Sequence, residues 1–140
     1  MAISQLSVFI ENKKGQMADV IKKLSDAQIN LRAMSVADTK DFGILRLIVS
    51  DAQKAKKILG DDALVKLTDV IAVKMDDIEG ALYTVLKVLD EASINVEYSY
   101  AFTAPKDGAY VVFRVDDVDR AQNLLTDKGF RFLESAEKIS

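Results

Sequence analysis

Apolar residues recur with helical spacing in two stretches of the chain that match each other. The i, i+3, i+4, i+7 pattern of an amphipathic helix is met by Met17, Val20, Ile21, Leu24 and Ala27. It returns 65 positions later at Leu82, Val85, Leu86, Leu89 and Ala92. The same offset separates Gly15 from Gly80, just before the stretches. The chain therefore contains an internal repeat.

Strand patterns surround both predicted helices. Before the helices, apolar residues take every second position at Leu6, Val8 and Ile10 and again at Ile71, Val73 and Met75. After them, segments rich in β-branched and aromatic residues predict strands at 31–38, 44–49, 96–103 and 110–115. Each copy then continues with a second helical stripe, at 52–59 or 118–125, and a short strand, at 64–67 or 130–133. The predicted N-caps of these second helices are Ser50 or Asp51 and Asp116 or Asp117.

The order β-α-β-β-α-β in each copy predicts an α+β protein of two tandem ferredoxin-like units. Each unit should have an antiparallel sheet with its helices on one face. We expect one domain at residues 1–69 and a second at 70–140, packed together because no flexible linker separates them. Asn30 and Asn95 are expected to end the first helices in the left-handed conformation.

The amino-acid composition excludes several classes of function. The chain has no Cys and no His, which excludes thiol and imidazole catalysis, disulfides and Cys/His zinc sites. Its 19 basic and 22 acidic residues give no broad basic field for nucleic acid or anionic membrane. No apolar run approaches the ~18 residues of a membrane span. We therefore expect a cytoplasmic protein that is not an enzyme, with no metal and no cofactor.

The two loops that precede the first helices carry the chemistry best suited to binding. Gly15 and Gly80 precede helix N-termini, whose N–H groups and dipole favour an anion such as a carboxylate. Asn12 and Asp77 occupy matching positions and can accept a hydrogen bond from an ammonium group. The alternative is structural: the glycines serve the turn, and Asn12 or Asp77 caps its helix.

The sequence of these loops and helices resembles the ACT domain. The motif of that family, Asp/Asn-x-Pro-Gly-x-Leu followed by an amphipathic helix and Ile-Asn-Ile, is matched by Asn12 to Met17 with Ile29 to Leu31, and by Asp77 to Leu82 with Ile94 to Val96. Lys14 and Glu79 replace the proline. The resemblance covers nearly the whole chain and implies a regulatory protein that binds an amino acid or other small effector where two ACT units meet. The resemblance also implies that the second strand of the neighbouring unit contacts the ligand.

From the loops and the resemblance together we select candidate ligand-binding residues: Asn12, Lys14, Gly15, Gln16, Met17, Ser35, Asp38, Thr39, Asp77, Glu79, Gly80, Ala81, Tyr98 and Tyr100. A carboxylate should prefer the first loop, because Lys13 and Lys14 make it positive while Asp76, Asp77 and Glu79 make the second loop negative. Lys13 is expected to be a solvated loop residue. The two tyrosines either line an apolar pocket or pack within the sheet.

Two functions remain open. The first is a homodimeric sensor of a small effector. The second is a ligand-free module that dimerises or docks on a metabolic enzyme through its open sheet faces and edges. Other uses of the ferredoxin-like order fail on the residues: copper transfer needs a CxxC motif, RNA recognition needs a basic aromatic sheet, and an acyl-phosphate hydrolase needs an arginine in the first loop.

Overall fold

The computed structural model describes residues 2–11, 13–38, 41–60 and 64–134. Ten helices and strands lie within these ranges: β1 Ile3–Glu11, α1 Gln16–Asp26, β2 Leu31–Asp38, β3 Phe42–Val49, α2 Ala52–Leu59, β4 Leu64–Met75, α3 Ala81–Glu91, β5 Val96–Ala104, β6 Gly108–Val115 and α4 Val118–Asp127. The chain divides into two compact units, Ser4–Thr68 and Asp69–Ser140, with Met1–Ile3 assigned to the second. The α+β class and the two units with antiparallel strands are confirmed.

The first unit is built on β3, which pairs antiparallel with β1 on one side and β2 on the other. Leu6 lies opposite Leu47, and Val8 opposite Leu45. These side chains form a core with the buried stripes of α1 and α2, whose members are Val20, Leu24, Ala55 and Leu59. Burial of this apolar surface is the main force that holds the helices on the sheet.

The opposite face of β1 carries buried polar side chains. Gln5 is fully buried, and its Nε2 donates a hydrogen bond to Ser7 Oγ at 3.1 Å. Ser7 Oγ also lies 3.4 Å from Thr68 Oγ1, and either hydroxyl can donate. These bonds offset the cost of removing the polar groups from water.

The second unit repeats the design around β6, which pairs antiparallel with β4 and with β5. Phe113 is a fully buried side chain of its core, and it packs with the stripes of α3 and α4, whose members are Val85, Leu89, Ala121 and Leu125. The strand predicted at 130–133 is reduced to a single bridge between Val73 and Phe132. The strands predicted at 64–67 and from Val70 onward are one continuous strand, β4.

The helix ends correct one prediction and confirm another. Asn30 and Asn95 do not adopt the left-handed conformation, which falls at Gln28 with φ 61° and Ser93 with φ 58°. Asn30 instead bonds through its backbone to Ser50, and Asn95 in the same way to Asp116. The caps of the second helices are the neighbouring aspartates, because Asp51 accepts from the N–H of Lys54 and Asp117 from that of Arg120.

A polar cluster holds the turn between β5 and β6. The Tyr110 hydroxyl donates a hydrogen bond to the Asp107 carboxylate, which also lies 3.0 Å from the Lys74 ammonium group. Burial raises the pKa of Tyr110 from 10.0 to about 12, and the hydrogen bond to Asp107 adds to this. The same bond, followed by that from Lys74, lowers the pKa of Asp107.

None of the helices in the described ranges has the length and hydropathy to cross a bilayer.

Replacing Leu47 with alanine should destabilise the protein far more than the same change at Leu64. Leu47 is 0% exposed and leaves a cavity, whereas Leu64 is 70% exposed. We expect a loss of about 2–5 kcal/mol in the free energy of unfolding for Leu47→Ala, and about 0.5 kcal/mol or less for Leu64→Ala. Urea denaturation followed by circular dichroism measures both, and equal losses would contradict this core.

The Tyr110 hydroxyl should make stability depend on pH in the alkaline range. Because the unfolded chain releases this proton near pH 10.0 and the folded chain only near about 12, stability from the neutral phenol falls as the pH rises across that window. Denaturation midpoints should therefore drop more steeply above pH 10.0 in the wild type than in Tyr110→Phe. Parallel curves for the two proteins would argue against the raised pKa.

Candidate functional site

In both units, a glycine in the left-handed conformation makes the turn between the first strand and the first helix. Gly15 has φ 88° and ψ −14°, and Gly80 has φ 82° and ψ −1°. Side chains rarely tolerate this conformation, so glycine is required by the backbone. A Cβ built at either residue would meet no atom within 4 Å. Packing therefore does not explain these glycines, and the space above each is open.

The glycines leave the N-termini of α1 and α3 without a side-chain cap. Gly15 O accepts from the N–H of Asp19, and Gly80 O accepts from the N–H and the hydroxyl of Thr84. The N–H groups of the first helical turn have no intrahelical acceptor, and they point out of the helix end with the positive end of its dipole. Since Asp77 does not cap α3, that structural role for it is wrong.

The first loop keeps only part of its positive charge available. The Lys13 ammonium group lies 2.6 Å from the Glu11 carboxylate, and this hydrogen bond raises the pKa of Lys13. The Lys13 side chain is 68% exposed, so it is a solvated loop residue as predicted, and it also forms this ion pair. Lys14 is exposed and has no ion pair with any described residue. It is the cation of this loop that remains for an anionic ligand.

Two hollows border the second loop, and each is named after a part of the chain that lines it and not the other. The hairpin hollow has a volume of about 540 Å³ and lies toward the β5–β6 turn. Its lining is Met75, Asp76, Asp77, Ile78, Ala81, Leu82, Thr103, Gly108 and Ala109. The Arg131 hollow has a volume of about 520 Å³ and is lined by Lys74, Met75, Asp76, Ile78, Ala81, Thr84, Gly129, Phe130 and Arg131. Both volumes fall in the range of small-molecule sites, ~300–1,000 Å³.

The structure brings some candidate residues together and separates others. Asp77 and Ala81 share the hairpin hollow, and Glu79 and Gly80 are exposed beside it. In the first unit, Gln16 and Met17 begin α1 and Lys14 and Gly15 precede it, while Ser35 is half-buried on β2. Asn12, Thr39 and the side chain of Asp38 lie outside the described residues.

Tyr98 and Tyr100 lie on the other side of the sheet from the helices. In the register of β5 with β6, Tyr98 pairs with Arg114 and Tyr100 with Val112, positions that alternate with the core residue Phe113. Neither tyrosine lines the hairpin hollow or the Arg131 hollow. On the tyrosines' face, the rings of Phe102 and Tyr110 stack with centroids 5.4 Å apart, which favours packing as the role of this face.

Sequence reasoning missed the walls that come from distant parts of the chain. Thr103 and Ala109 pair across the β5–β6 hairpin and reach the second loop from there. Phe130 and Arg131 follow α4 and reach it from the other side. Gly108 has a φ of 89°, a conformation that favours glycine, so the glycine itself is a sequence signal for the hairpin turn. Among the described residues, no three His, Cys, Asp or Glu side chains converge as a metal site.

Comparison with solved structures supports the same fold. A protein of Bacteroides thetaiotaomicron is 39% identical, with a TM-score of 0.90 over 98% of this chain and 95% of that one. The ligand-free regulatory subunit of aspartate kinase from Thermus thermophilus is 13% identical, with a TM-score of 0.63 over 89% of this chain and 91% of that one. The corresponding subunit from Thermus flavus is also 13% identical, with a TM-score of 0.60 over 89% and 90%. At 13% identity the two subunits show a shared fold alone.

No curated protein matches the chain. The family model of the ACT domain pair matches residues 1–140, in agreement with the repeated strand–glycine–helix loops. ACT domain pairs are regulatory rather than catalytic modules. The chain belongs to the family of ACT domain pairs.

Proposed function

We propose that this protein is a cytoplasmic sensor that binds a small molecule, an amino acid, at its strand–helix loops. The observation that carries the proposal is the same in both loops. A left-handed glycine precedes a helix N-terminus that has no side-chain cap, and the space next to the glycine is open. Backbone N–H groups at such an end suit an α-carboxylate. A glycine lets the ligand approach the backbone without a Cβ in the way.

The hairpin hollow supplies the rest of an amino acid site at the second loop. Asp77 offers a carboxylate for an ammonium group, and Thr103 offers a hydroxyl from the facing strand. Met75 and Leu82 provide apolar wall for a side chain, and Ala81 begins the helix whose N–H groups would meet the carboxylate. Ligand sites commonly combine such an apolar lining with a few polar groups that fix orientation.

The first loop is the better site for an anion that lacks an ammonium group. Lys14 adds a full positive charge next to the uncapped N-terminus of α1, where the second loop has Glu79. Charge-assisted hydrogen bonds are about twice as strong as neutral ones. We therefore propose that the two loops differ in ligand preference, although their backbones match.

The output of the sensor is proposed to pass through assembly. Two of the structural relatives are described as regulatory subunits of aspartate kinase. By analogy with these, we propose that this chain forms a homodimer, that a neighbouring ACT unit closes over the bound effector, and that a metabolic enzyme is its target. A ligand that binds one assembly state better shifts the population toward that state.

A ligand-free docking module is the second candidate, and it is favoured by exposed apolar side chains on α3 and in the loop before it. Ile78 is 68% exposed and Tyr83 66%, and Leu82 and Leu86 are also exposed. Exposed apolar side chains that cluster into a patch mark interaction sites in many soluble proteins.

Amino acids should raise the melting temperature of the purified protein in a saturable way. The rise follows because a ligand that binds only the native state stabilises it. If the first loop holds the carboxylate, Lys14→Gln should weaken apparent affinity about tenfold. If the second loop holds the ammonium group, Asp77→Asn should do the same. A thermal-shift titration with all twenty amino acids measures both.

Matched controls for this titration are Lys57→Gln on α2 and Asp90→Asn on α3, which remove the same charges from exposed positions outside the loops. They should leave the shift unchanged. No shift with any amino acid would reject the sensor and favour the docking module.

A charge placed on the exposed face of α3 should weaken self-association if that face is an interface. Leu82→Lys inserts an ammonium group into the apolar surface, where desolvation is costly. Sedimentation velocity should then show a lower dimer fraction than in the wild type. Asn123→Lys, on the exposed part of α4, adds the same charge elsewhere as a control. An unchanged dimer in both variants would place the interface on another surface.

A further inference from the structure

Helix α3 exposes a row of apolar side chains to solvent. Leu82 is 45% exposed, Tyr83 66% and Leu86 36%. Leu82 and Leu86 lie one helical turn apart, so they form a row along α3 with Tyr83 beside it. Burial of this row against another molecule would remove it from water and stabilise the contact.

The row borders a groove between α3 and β5, the strand at the edge of its sheet. A hollow of about 460 Å³ lies in this groove, with walls from α3 and from the start of β5. Farther along β5, Ser99 pairs with the core residue Phe113, and Ala101 pairs with Val111, which packs against the same core. Both small residues therefore lie on the helix side of the sheet. Because both are exposed, the groove stays open beside α3.

The first unit has larger side chains at the matching positions of its own groove. At the offset of 65, Met34 corresponds to Ser99, and Val36 corresponds to Ala101. The register of β2 with β3 places Met34 and Val36 on the helix side of their sheet, and both are exposed. They stand beside α1 in the position that the second unit leaves free beside α3.

Opposite charges lie along α3, where α1 has like charges. Glu79 precedes α3 and forms no ion pair with any described residue, and Lys87 follows it by about two helical turns. The Lys87 ammonium group lies 3.9 Å from the exposed Glu91 carboxylate, a surface pair that contributes little stability. At the offset of 65, Lys14 and Lys22 take the places of Glu79 and Lys87.

From these observations we propose that a second copy of this chain docks on this surface, with its α3 antiparallel to this α3 and seated in the groove beside β5. The two-fold axis of such a dimer passes near Thr84, midway between Leu82 and Leu86. Leu82 then packs on Leu86 of the partner subunit, and Glu79 lies near Lys87 of the partner subunit. The symmetry makes each contact twice.

The charges select α3 over α1 for this contact. In the same antiparallel arrangement, two α1 helices would bring Lys14 near Lys22 of the partner subunit, and the like charges would repel. One helix of 11 residues buries less than the ~800 Å² per partner of a standard interface, so the dimer should be reversible and depend on concentration. The inference rests on the homodimer proposed above and needs no bound effector.

A charge swap tests the proposed contact in the full chain. Glu79→Lys and Lys87→Glu should each raise the dimer dissociation constant about tenfold, because each places like charges opposite one another twice. The double variant with both changes restores opposite charges, so it should dimerise nearly as the wild type does. A purely structural role of either residue would not give this rescue. Sedimentation velocity over a concentration series measures the constant, and circular dichroism checks the fold.

The groove is tested by exchanging residues between the two units. Ser99→Met places the side chain of the first unit in the second groove, so it should weaken dimerisation about tenfold while the exposed position tolerates the change. Met34→Ser is the reciprocal change on β2 and should leave the dimer as it is. Asp119→Lys and Arg120→Glu reverse charges at exposed positions of α4, and both should dimerise as the wild type does.

Each of three results would overturn the proposal. The first is a wild type that stays monomeric at every concentration. The second is a double charge variant that dimerises no better than the single variants. The third is a Ser99→Met protein that dimerises as the wild type does. After the second or third result, the homodimer stands with its interface on another surface. After the first, a saturable thermal shift with an amino acid would leave the sensor standing as a monomer.

Discussion

A left-handed backbone turn at a single glycine joins the first strand of each unit to its first helix, and the binding proposed for both loops depends on it. The turn reverses the chain so that the helix lies back on the sheet, with Val20 and Leu24 in one core and Val85 and Leu89 in the other. It also makes any residue other than glycine strained at the position next to the helix end. The φ and ψ angles of this glycine thus determine both the direction in which the helix leaves the turn and the open, uncapped state of its N-terminus.

The two units share one order of elements, but their loops differ in charge. The hydrogen bonds that end the first helices are the same in both: Ile29 bonds to Leu24 in one unit and Ile94 to Leu89 in the other. By contrast, the pair of Glu11 with Lys13 closes one loop, and Ile78 leaves the other open. Since the glycine conformation and these hydrogen bonds are shared, the proposed difference in ligand preference rests on these side chains.

Periodicity along the chain predicted most of the fold because it determines which residues face the core. The helical stripes, the alternating strands and the caps at Asp51 and Asp117 are all local signals, and the structure has them. The prediction that failed was also local: the left-handed residue is Gln28, where the N–H of Gln28 bonds to Ser25 O and the N–H of Ile29 bonds to Leu24 O at the end of α1.

The hollows could not be predicted in the same way, because their walls are far apart in sequence. Thr103 and Arg131 reach the loop at Asp76 only through strand register and through the bonding of the segment after α4 to β4. Register and bonding of this kind depend on the packed sheet as a whole. The sequence identified the loops, and the structure shows what surrounds the second one.

The most direct test of effector binding at the loops is a two-dimensional amide NMR titration of the ¹⁵N-labelled protein with amino acids. Because a carboxylate would bond the N–H groups at a helix end, saturable shifts should be largest at Met17 and Ala18 or at Leu82 and Tyr83, the first turns of α1 and α3. Shifts that saturate but leave both helix starts unmoved would contradict the account. So would a spectrum that no amino acid changes.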